Sequence, residues 1–187
     1  MKYPASAFVV CPLLLMTGCS DLLSVHPLAT PATIVFDAGL TGLWSCENKD
    51  CKGTALIRRS EESENSYDIV WIPEEAGEEP LRLKGQLAKT GSRLVFDLVY
   101  VKTPNLAIPG HFFMLVEKTA AGVTFHRLDS EWLRGKVIDP KGPAHAMVDG
   151  KPVLTAESAR INAFLVEFGL DSKAVSGSMI FKRLKQN

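Results

Sequence analysis

Short segments in which apolar and polar residues alternate fill most of the chain. The clearest are residues 81–87, Leu-Arg-Leu-Lys-Gly-Gln-Leu, and residues 94–101, where Leu94, Phe96 and Leu98 share one face. An alternation of period two puts the apolar side chains on one side of a β-strand and does not suit an amphipathic helix. The pattern predicts strands at residues 43–45, 54–59, 67–72, 81–87, 94–101, 111–117, 123–128 and 178–184.

Two helices are predicted late in the chain. Asp129 can cap a short helix through residues 131–133. Thr155 is the N-cap candidate of a longer helix that ends at Gly169. Its apolar residues recur at i, i+3, i+4 and i+7, which predicts a face docked on the sheet; they are Ile161, Phe164, Leu165 and Phe168. Prolines and glycines at positions 140–150 predict a loop between the two helices.

About eight antiparallel strands in one domain favour a closed barrel, since closure removes the unpaired strand edges. The predicted fold class is therefore mainly β: a small antiparallel barrel with one short and one longer helix near the C-terminus. An eight-stranded barrel can be filled by its own side chains or can hold one small ligand, and both alternatives remain open here. The residues expected to point inward include Leu94, Phe96, Leu98, Phe112, Met114 and Val116.

Two short signals carry a family resemblance. Gly42-Leu43-Trp44 resembles the Gly-x-Trp motif that opens the first strand of lipocalins, and Arg183 resembles the basic residue that stacks on that tryptophan. The resemblance implies a lipocalin-like barrel closed by a cation–π contact between Trp44 and Arg183, a contact worth about 0.5–2 kcal/mol. Residues 127–133, 153–156 and 180–183 are similar to bacterial lipoproteins with a lipocalin-like domain. That group implies no catalytic residues.

The N-terminus has the pattern of an export signal. Lys2 is followed by an apolar core of about a dozen residues and then by Met16-Thr17-Gly18-Cys19. This ending resembles the lipobox of bacterial lipoproteins. The resemblance implies cleavage between Gly18 and Cys19 and acylation of Cys19, where two or three acyl chains would give a stable membrane anchor. A plain signal peptide and an uncleaved anchor are the alternatives.

The residue after the cysteine, Ser20, bears on the destination of the protein. By resemblance to enterobacterial sorting, a residue other than Asp at this position implies the outer membrane, with the domain facing the periplasm of a bacterial cell envelope. We therefore expect a signal peptide over residues 1–18, a lipid-anchored tether over residues 19–39 and a lipocalin-like β domain over residues 40–187. Cleavage would remove Lys2 and leave a net charge of −1.

Composition excludes several classes of protein. The 21 basic and 21 acidic side chains balance, whereas nucleic-acid binders carry enough basic residues to neutralise phosphates. A charged fraction of 22% together with nine Phe and three Trp argues against a disordered chain. The sequence also lacks an apolar run of the roughly 18 residues that a transmembrane helix needs.

Cys46 and Cys51 remain once Cys11 is cleaved off and Cys19 is acylated. In an exported protein two cysteines this close favour a disulfide bond. Free thiols are an alternative, and so is a functional site. A metal site would need two further ligands nearby, however, and a redox site normally has the spacing Cys-x-x-Cys.

The sequence has no recognisable catalytic or metal-binding motif. Ser130 and the serines near residue 177 lack a nucleophile elbow, and the four histidines are widely separated. His126 is expected to face solvent or to make one hydrogen bond. The acidic clusters at residues 61–64 and 74–79 are predicted to be polar hairpin tips, with a surface for a cation or a basic partner as the alternative. We predict no metal, no cofactor and no enzymatic activity.

The predicted function is binding. A lipid-anchored envelope protein with a barrel interior suits a small apolar ligand or an envelope protein as its partner. The alternative is a structural, assembly or enzyme-inhibitor module that uses its loops and has no ligand cavity. In both cases the membrane is reached through the N-terminal lipid, and no nucleic acid is involved.

Overall fold

Strands make up most of the structure. The computed structural model describes residues 22–48, 51–101, 110–120, 122–169 and 171–185. The strands in these residues are β1 (Leu23–Ser24), β2 (Ile34–Val35), β3 (Gly42–Asn48), β4 (Cys51–Arg59), β5 (Ser66–Pro73), β6 (Leu81–Thr90), β7 (Arg93–Tyr100), β8 (His111–Thr119), β9 (Gly122–Leu128), β10 (His145–Val148), β11 (Lys151–Leu154) and β12 (Val175–Arg183). The helices are α1 (Ser130–Val137) and α2 (Ser158–Phe164), with a π-helical turn over Leu165–Gly169 and 3₁₀ turns at Ala38–Leu40 and Ser172–Ala174.

Eight of these strands close into an antiparallel barrel. Each strand from β3 to β9 pairs with the next, and β12 lies between β9 and β3 and completes the ring. Residues 175–181 of β12 pair with β9, and residues 181–183 pair with β3. The structure confirms the predicted fold class, a mainly β protein with an antiparallel eight-stranded barrel and two short helices near the C-terminus.

The barrel has an apolar core on each side of its wall. The inner cluster consists of the inward side chains of the eight strands, among them Trp44, Ile57, Tyr67, Leu87 and Phe96. The outer cluster lies between the helices and the outward side chains of β7 and β8, and includes Val95, Phe113, Leu115, Leu133, Ile161 and Phe164. The six residues predicted to point inward all belong to the inner cluster, with Leu94 half-buried and the other five buried. Because β7 and β8 are covered on both faces, their sequences are apolar almost throughout.

Residues 22–40 pack against the barrel. Strand β1 pairs in parallel with β11 and antiparallel with β8, and β2 pairs with β6. The side chains of Leu22 and Leu28 are buried in the outer cluster. A tether is predicted for residues 19–39, but the structure places residues 22–39 in the folded domain. The sequence shows no period here because the two strands are only two residues long each.

A hairpin occupies part of the loop predicted between the helices. Strands β10 and β11 pair antiparallel, with Val148 opposite Lys151. The residues between them, Asp149 and Gly150, have φ of 48° and 75°. Positive φ at both central residues is typical of the type I′ turn that joins short hairpins, and Asp-Gly is one of its preferred sequences. The loop prediction for positions 140–150 was therefore wrong at residues 145–148, which form strand β10.

Helix α1 begins as predicted, and the side chain of Asp129 accepts a hydrogen bond from the Trp132 backbone N at 2.9 Å. The predicted N-cap Thr155 was wrong. Its backbone N donates to Ala144 O at the base of the β10–β11 hairpin, and α2 starts later, with Glu157 at the N-cap position. The predicted docking stripe is confirmed, since Ile161, Phe164 and Leu165 are buried and Phe168 is half-buried. Among the described residues, no helix combines the length and the apolar character that spanning a bilayer requires.

Candidate functional site

One end of the barrel, here called the closed end, is covered by the 3₁₀ turn at Ala38–Leu40. Trp44 on β3 lies beneath this turn, 4% exposed, and its Nε1 donates to Leu40 O at 2.9 Å. Strand β12 brings Arg183 opposite Trp44, with the guanidinium carbon 4.4 Å from the ring centre. The same guanidinium donates to Thr41 O at 2.8 Å and to Gly39 O at 2.6 Å. The Trp44–Arg183 contact that the lipocalin resemblance implies is thus present, and it ties the first and last barrel strands to the covering turn.

The residue two positions before this tryptophan, Gly42, must be small for a steric reason. Gly42 has φ of +139°, and a Cβ atom at this position would lie 2.5 Å from Arg183 Nη1. A side chain here would force both a strained backbone and displacement of the guanidinium from the Trp44 ring. The spacing Gly-x-Trp therefore reflects the approach of Arg183 to both residues.

Gly42→Ala is expected to destabilise the protein by roughly 1–3 kcal/mol, the cost of holding a non-glycine residue at this φ. The measurement is chemical unfolding monitored by tryptophan fluorescence. Gly135→Ala is the matched control, because Gly135 lies in α1 with open space around its Cβ position. That change should stabilise the helix by about 0.5–1 kcal/mol. Equal stability of Gly42→Ala and the wild type would contradict this account of the closed end.

A second group of side chains fixes residues 36–37 at the same end. Phe36 stacks on Tyr67 with ring centres 4.9 Å apart, and Arg59 lies over Phe36 at 3.8 Å. Tyr67 Oη accepts from Asp37 N at 2.7 Å. A hydrogen bond from Lys118 lowers the pKa of Asp37, and burial raises the pKa of Tyr67. The closed end is therefore held by hydrogen bonds and ring contacts on two sides.

The opposite end, here called the mouth, opens into a cavity of about 270 Å³ inside the barrel. Its walls come from all but one of the barrel strands, and its lining is almost entirely apolar and aromatic. The lining residues are Cys51, Ala55, Ile57, Ile69, Trp71, Leu81, Leu83, Phe96, Leu98, Tyr100, Phe112, Met114, Phe125, Arg127, Met179 and Phe181. The sequence was compatible with a filled barrel and with a barrel that has room for a ligand. The described residues form the second kind, and the volume of the cavity is close to the lower limit of typical ligand pockets.

Arg127 is the positively charged side chain among these lining residues. It follows Val123 and Phe125 at alternate positions of β9, and both of those side chains are buried in the inner cluster. Alternation along a strand therefore turns Arg127 into the barrel near the mouth. Within the described residues, its guanidinium makes no hydrogen bond or ion pair. Sequence reasoning missed this residue, although the run Val-x-Phe-x-Arg on one strand face was a visible signal.

The predicted disulfide between Cys46 and Cys51 is confirmed. It links β3 to β4 at the mouth, and Cys51 contributes to the cavity wall. A loop this short corresponds to about 2 kcal/mol of stabilisation in the chain-entropy model. Nearby, the Asn48 side chain accepts from Ile180 N at 2.8 Å and donates to Ser178 O at 3.1 Å. These bonds bridge β3 and β12 beyond their last backbone pair.

A buried polar cluster, also missed from the sequence, lies on the outer side of the wall. Asp97 is 3% exposed, and its Oδ2 accepts from Leu28 N at 2.7 Å and from Ala29 N at 3.3 Å. Its Oδ1 lies 2.7 Å from His111 Nδ1. Among the described residues, no hydroxyl or thiol is hydrogen-bonded to the other nitrogen of His111. The cluster therefore fastens residues 28–29 to β7 and lacks the nucleophile that a His–Asp pair would activate.

The other candidates from the sequence occupy the surface. His126 was expected to face solvent or make one hydrogen bond, but both ring nitrogens have partners: Ser178 Oγ at 2.7 Å and Glu117 Oε2 at 3.1 Å. The acidic clusters at residues 61–64 and 74–79 are exposed in the β4–β5 and β5–β6 connections, as predicted for hairpin tips. Within the described ranges, no group of three or more His, Cys, Asp or Glu residues could hold a metal ion. Gly18 and Cys19 lie outside the described residues.

Among the described residues, fold and site together define a closed eight-stranded barrel whose apolar internal cavity is uncovered at the mouth. Comparison of the chain with models of protein families, with curated proteins and with solved structures found no match.

Proposed function

We propose that this protein is a lipid-anchored binding protein of a bacterial cell envelope that holds a small apolar or amphipathic ligand in its barrel. The ligand part of this proposal is supported by the cavity of about 270 Å³ and its apolar and aromatic lining. Transfer of apolar surface from water into such a space is favourable, at roughly 25 cal/mol per Å². The observation that supports the anchor is the lipobox-like sequence that ends at Cys19.

The arrangement of the barrel ends supports binding at the mouth. Trp44, Arg183 and the 3₁₀ turn cover one end, which places ligand entry at the mouth in this proposal. Leu81, Leu83 and Tyr100 lie on the wall next to the mouth, and Phe96 and Ile57 lie deeper. A ligand that enters would therefore bury its apolar part against these deeper side chains.

A fluorescent polyene fatty acid, titrated into the purified full chain, tests the ligand proposal. We expect saturable binding with an increase in emission as the probe leaves water. Leu83→Trp, which enlarges a side chain in the cavity wall, should weaken binding by about tenfold or more, since a packed interior does not accommodate the added volume. Leu56→Trp is the matched control, because Leu56 is exposed on the outer face of β4. The absence of saturable binding, or an equal effect of both variants, would favour the module without a ligand cavity.

The anchor is tested separately, by labelling cells that express the full chain with radioactive palmitate. The wild type should incorporate label, and Cys19→Ala should not, because the thiol that accepts the lipid is gone. Cys11→Ala is the control, since Cys11 lies within the predicted signal peptide and should leave labelling unchanged. Labelling of Cys19→Ala at the wild-type level would refute the lipobox interpretation.

A further inference from the structure

Charged side chains of both signs lie around the mouth of the barrel. The exposed residues Glu74, Glu75 and Glu78 belong to the loop that follows β5, and the exposed cations Lys52 and Arg82 lie near the starts of β4 and β6 on either side of it. Arg127 is on β9. In the order of the eight-stranded ring, β5 and β9 are separated by three strands on either side, so they face each other across the barrel. The cation that lines the cavity itself is Arg127.

The residues paired with Arg127 on the two neighbouring strands offer no side-chain hydrogen-bond acceptor. Its neighbours across the strands are Met114 on β8 and Gly177 on β12. Met114 is an apolar residue of the cavity wall, and Gly177 has no side chain. A Cβ atom built at Gly177 would find nothing within 4 Å, so there is open space at the strand position paired with Arg127.

Arg127 is only partly exposed, and a charge partly withdrawn from water gains from a hydrogen-bonded partner. Three other barrel arginines have partners: Arg183 donates to two carbonyls over Trp44, Arg59 lies over Phe36, and Arg58 pairs with Asp68. Arg82 and Arg93 are exposed to solvent, whereas Arg127 lines the cavity and makes no hydrogen bond, ion pair or ring contact with a described residue. Its planar group of donors fits a carboxylate through two parallel hydrogen bonds.

We infer that Arg127 binds the acidic head of the ligand, so that the barrel selects an amphiphile with a single carboxylate and an apolar tail. The head lies at the mouth in the space beside Gly177, and the tail lies among the deeper aromatic residues. This inference rests on the proposed function, because it names the chemical class of the ligand held by the same cavity.

The test compares a fluorescent polyene fatty acid with its methyl ester, which has the same tail and no charge. Each is titrated into the full chain as wild type, Arg127→Met, Arg127→Lys and Arg93→Met. Arg93 is exposed at the closed end and serves as the matched control. Thermal melts show whether each variant is folded, and Arg127→Lys retains the charge if Arg127→Met fails to fold.

The wild type and Arg93→Met should bind the acid about tenfold or more tighter than the ester, as expected for a charge-assisted bidentate pair. Arg127→Met should lose this preference and bind the ester as the wild type does, and Arg127→Lys should keep part of it. Equal binding of acid and ester by the wild type, or a preference retained in Arg127→Met, would overturn the inference and leave the cavity function standing. Failure of both probes to bind the wild type would instead refute the proposed function, and this inference with it.

Discussion

Trp44→Ala should destabilise the protein by roughly 3–5 kcal/mol, the usual cost of removing a buried tryptophan. The ring is 4% exposed, donates to Leu40 O and carries the Arg183 guanidinium on its face. Its loss leaves a cavity under the 3₁₀ turn, an unpaired carbonyl and an arginine without its ring. Chemical unfolding followed by circular dichroism measures the change without depending on tryptophan emission.

The control for this experiment is Trp132→Ala. Trp132 lies half-buried on α1 at the edge of the outer cluster, so its removal should cost much less, about 1 kcal/mol. Trp44→Phe should fall between the two, since it keeps an aromatic ring and loses the hydrogen bond. If Trp44→Ala unfolds at the same denaturant concentration as the wild type, Trp44 does not close the barrel.

Asp97→Ala is the second change expected to have a large effect, about 3 kcal/mol or more. The carboxylate is almost completely buried and accepts from two backbone amides and from His111. Removing one member of a buried polar cluster leaves the others without partners, which costs more than the hydrogen bonds alone. The amides of Leu28 and Ala29 should lose protection from hydrogen exchange before the barrel amides do, because the cluster holds residues 28–29 on β7.

The matched control is Asp68→Ala on strand β5, which is separated from β7 by β6. Asp68 pairs with Arg58 at 3.5 Å, and the arginine side chain is 61% exposed. An ion pair of this kind contributes at most about 1 kcal/mol. If Asp97→Ala and Asp68→Ala lost the same small amount of stability and left exchange at residues 28–29 unchanged, Asp97 would not fasten this segment.

The barrel itself could be predicted because one physical pattern repeats. Each strand alternates inward and outward residues, and the inward ones must be apolar to bury the core, so period two survives in residues 81–87 and 94–101. The contact between Trp44 and Arg183 was predicted from the lipocalin resemblance alone. The structure supplies its physical reason, since the close approach of the guanidinium favours glycine at position 42.

Other parts of the structure depend on contacts between residues that are distant in sequence, and periodic patterns in the sequence do not reveal such contacts. Residues 22–40 bind through backbone pairing, through buried side chains such as Leu22 and Leu28, and through Asp97, 69 positions from Leu28. An acidic residue in an apolar strand is unusual, so Asp97 could be recognised from the sequence. Its hydrogen-bond partners could not be predicted. The β10–β11 hairpin was different, because Asp149-Gly150 is a strong turn signal that the loop prediction passed over. For Arg127 the run Val-x-Phe-x-Arg marked an inward position, but the cavity around it followed only from the closed ring.

Methionine methyl NMR tests the central claim, a ligand bound inside the barrel, most directly. Met114 and Met179 line the cavity, and Met147 is exposed on the β10–β11 hairpin. In the full chain labelled with ¹³C at the methionine methyl groups, titration with a fatty acid should shift Met114 and Met179 saturably and leave Met147 unchanged. Shifts confined to Met147, or no saturable shift at Met114 and Met179, would contradict the account.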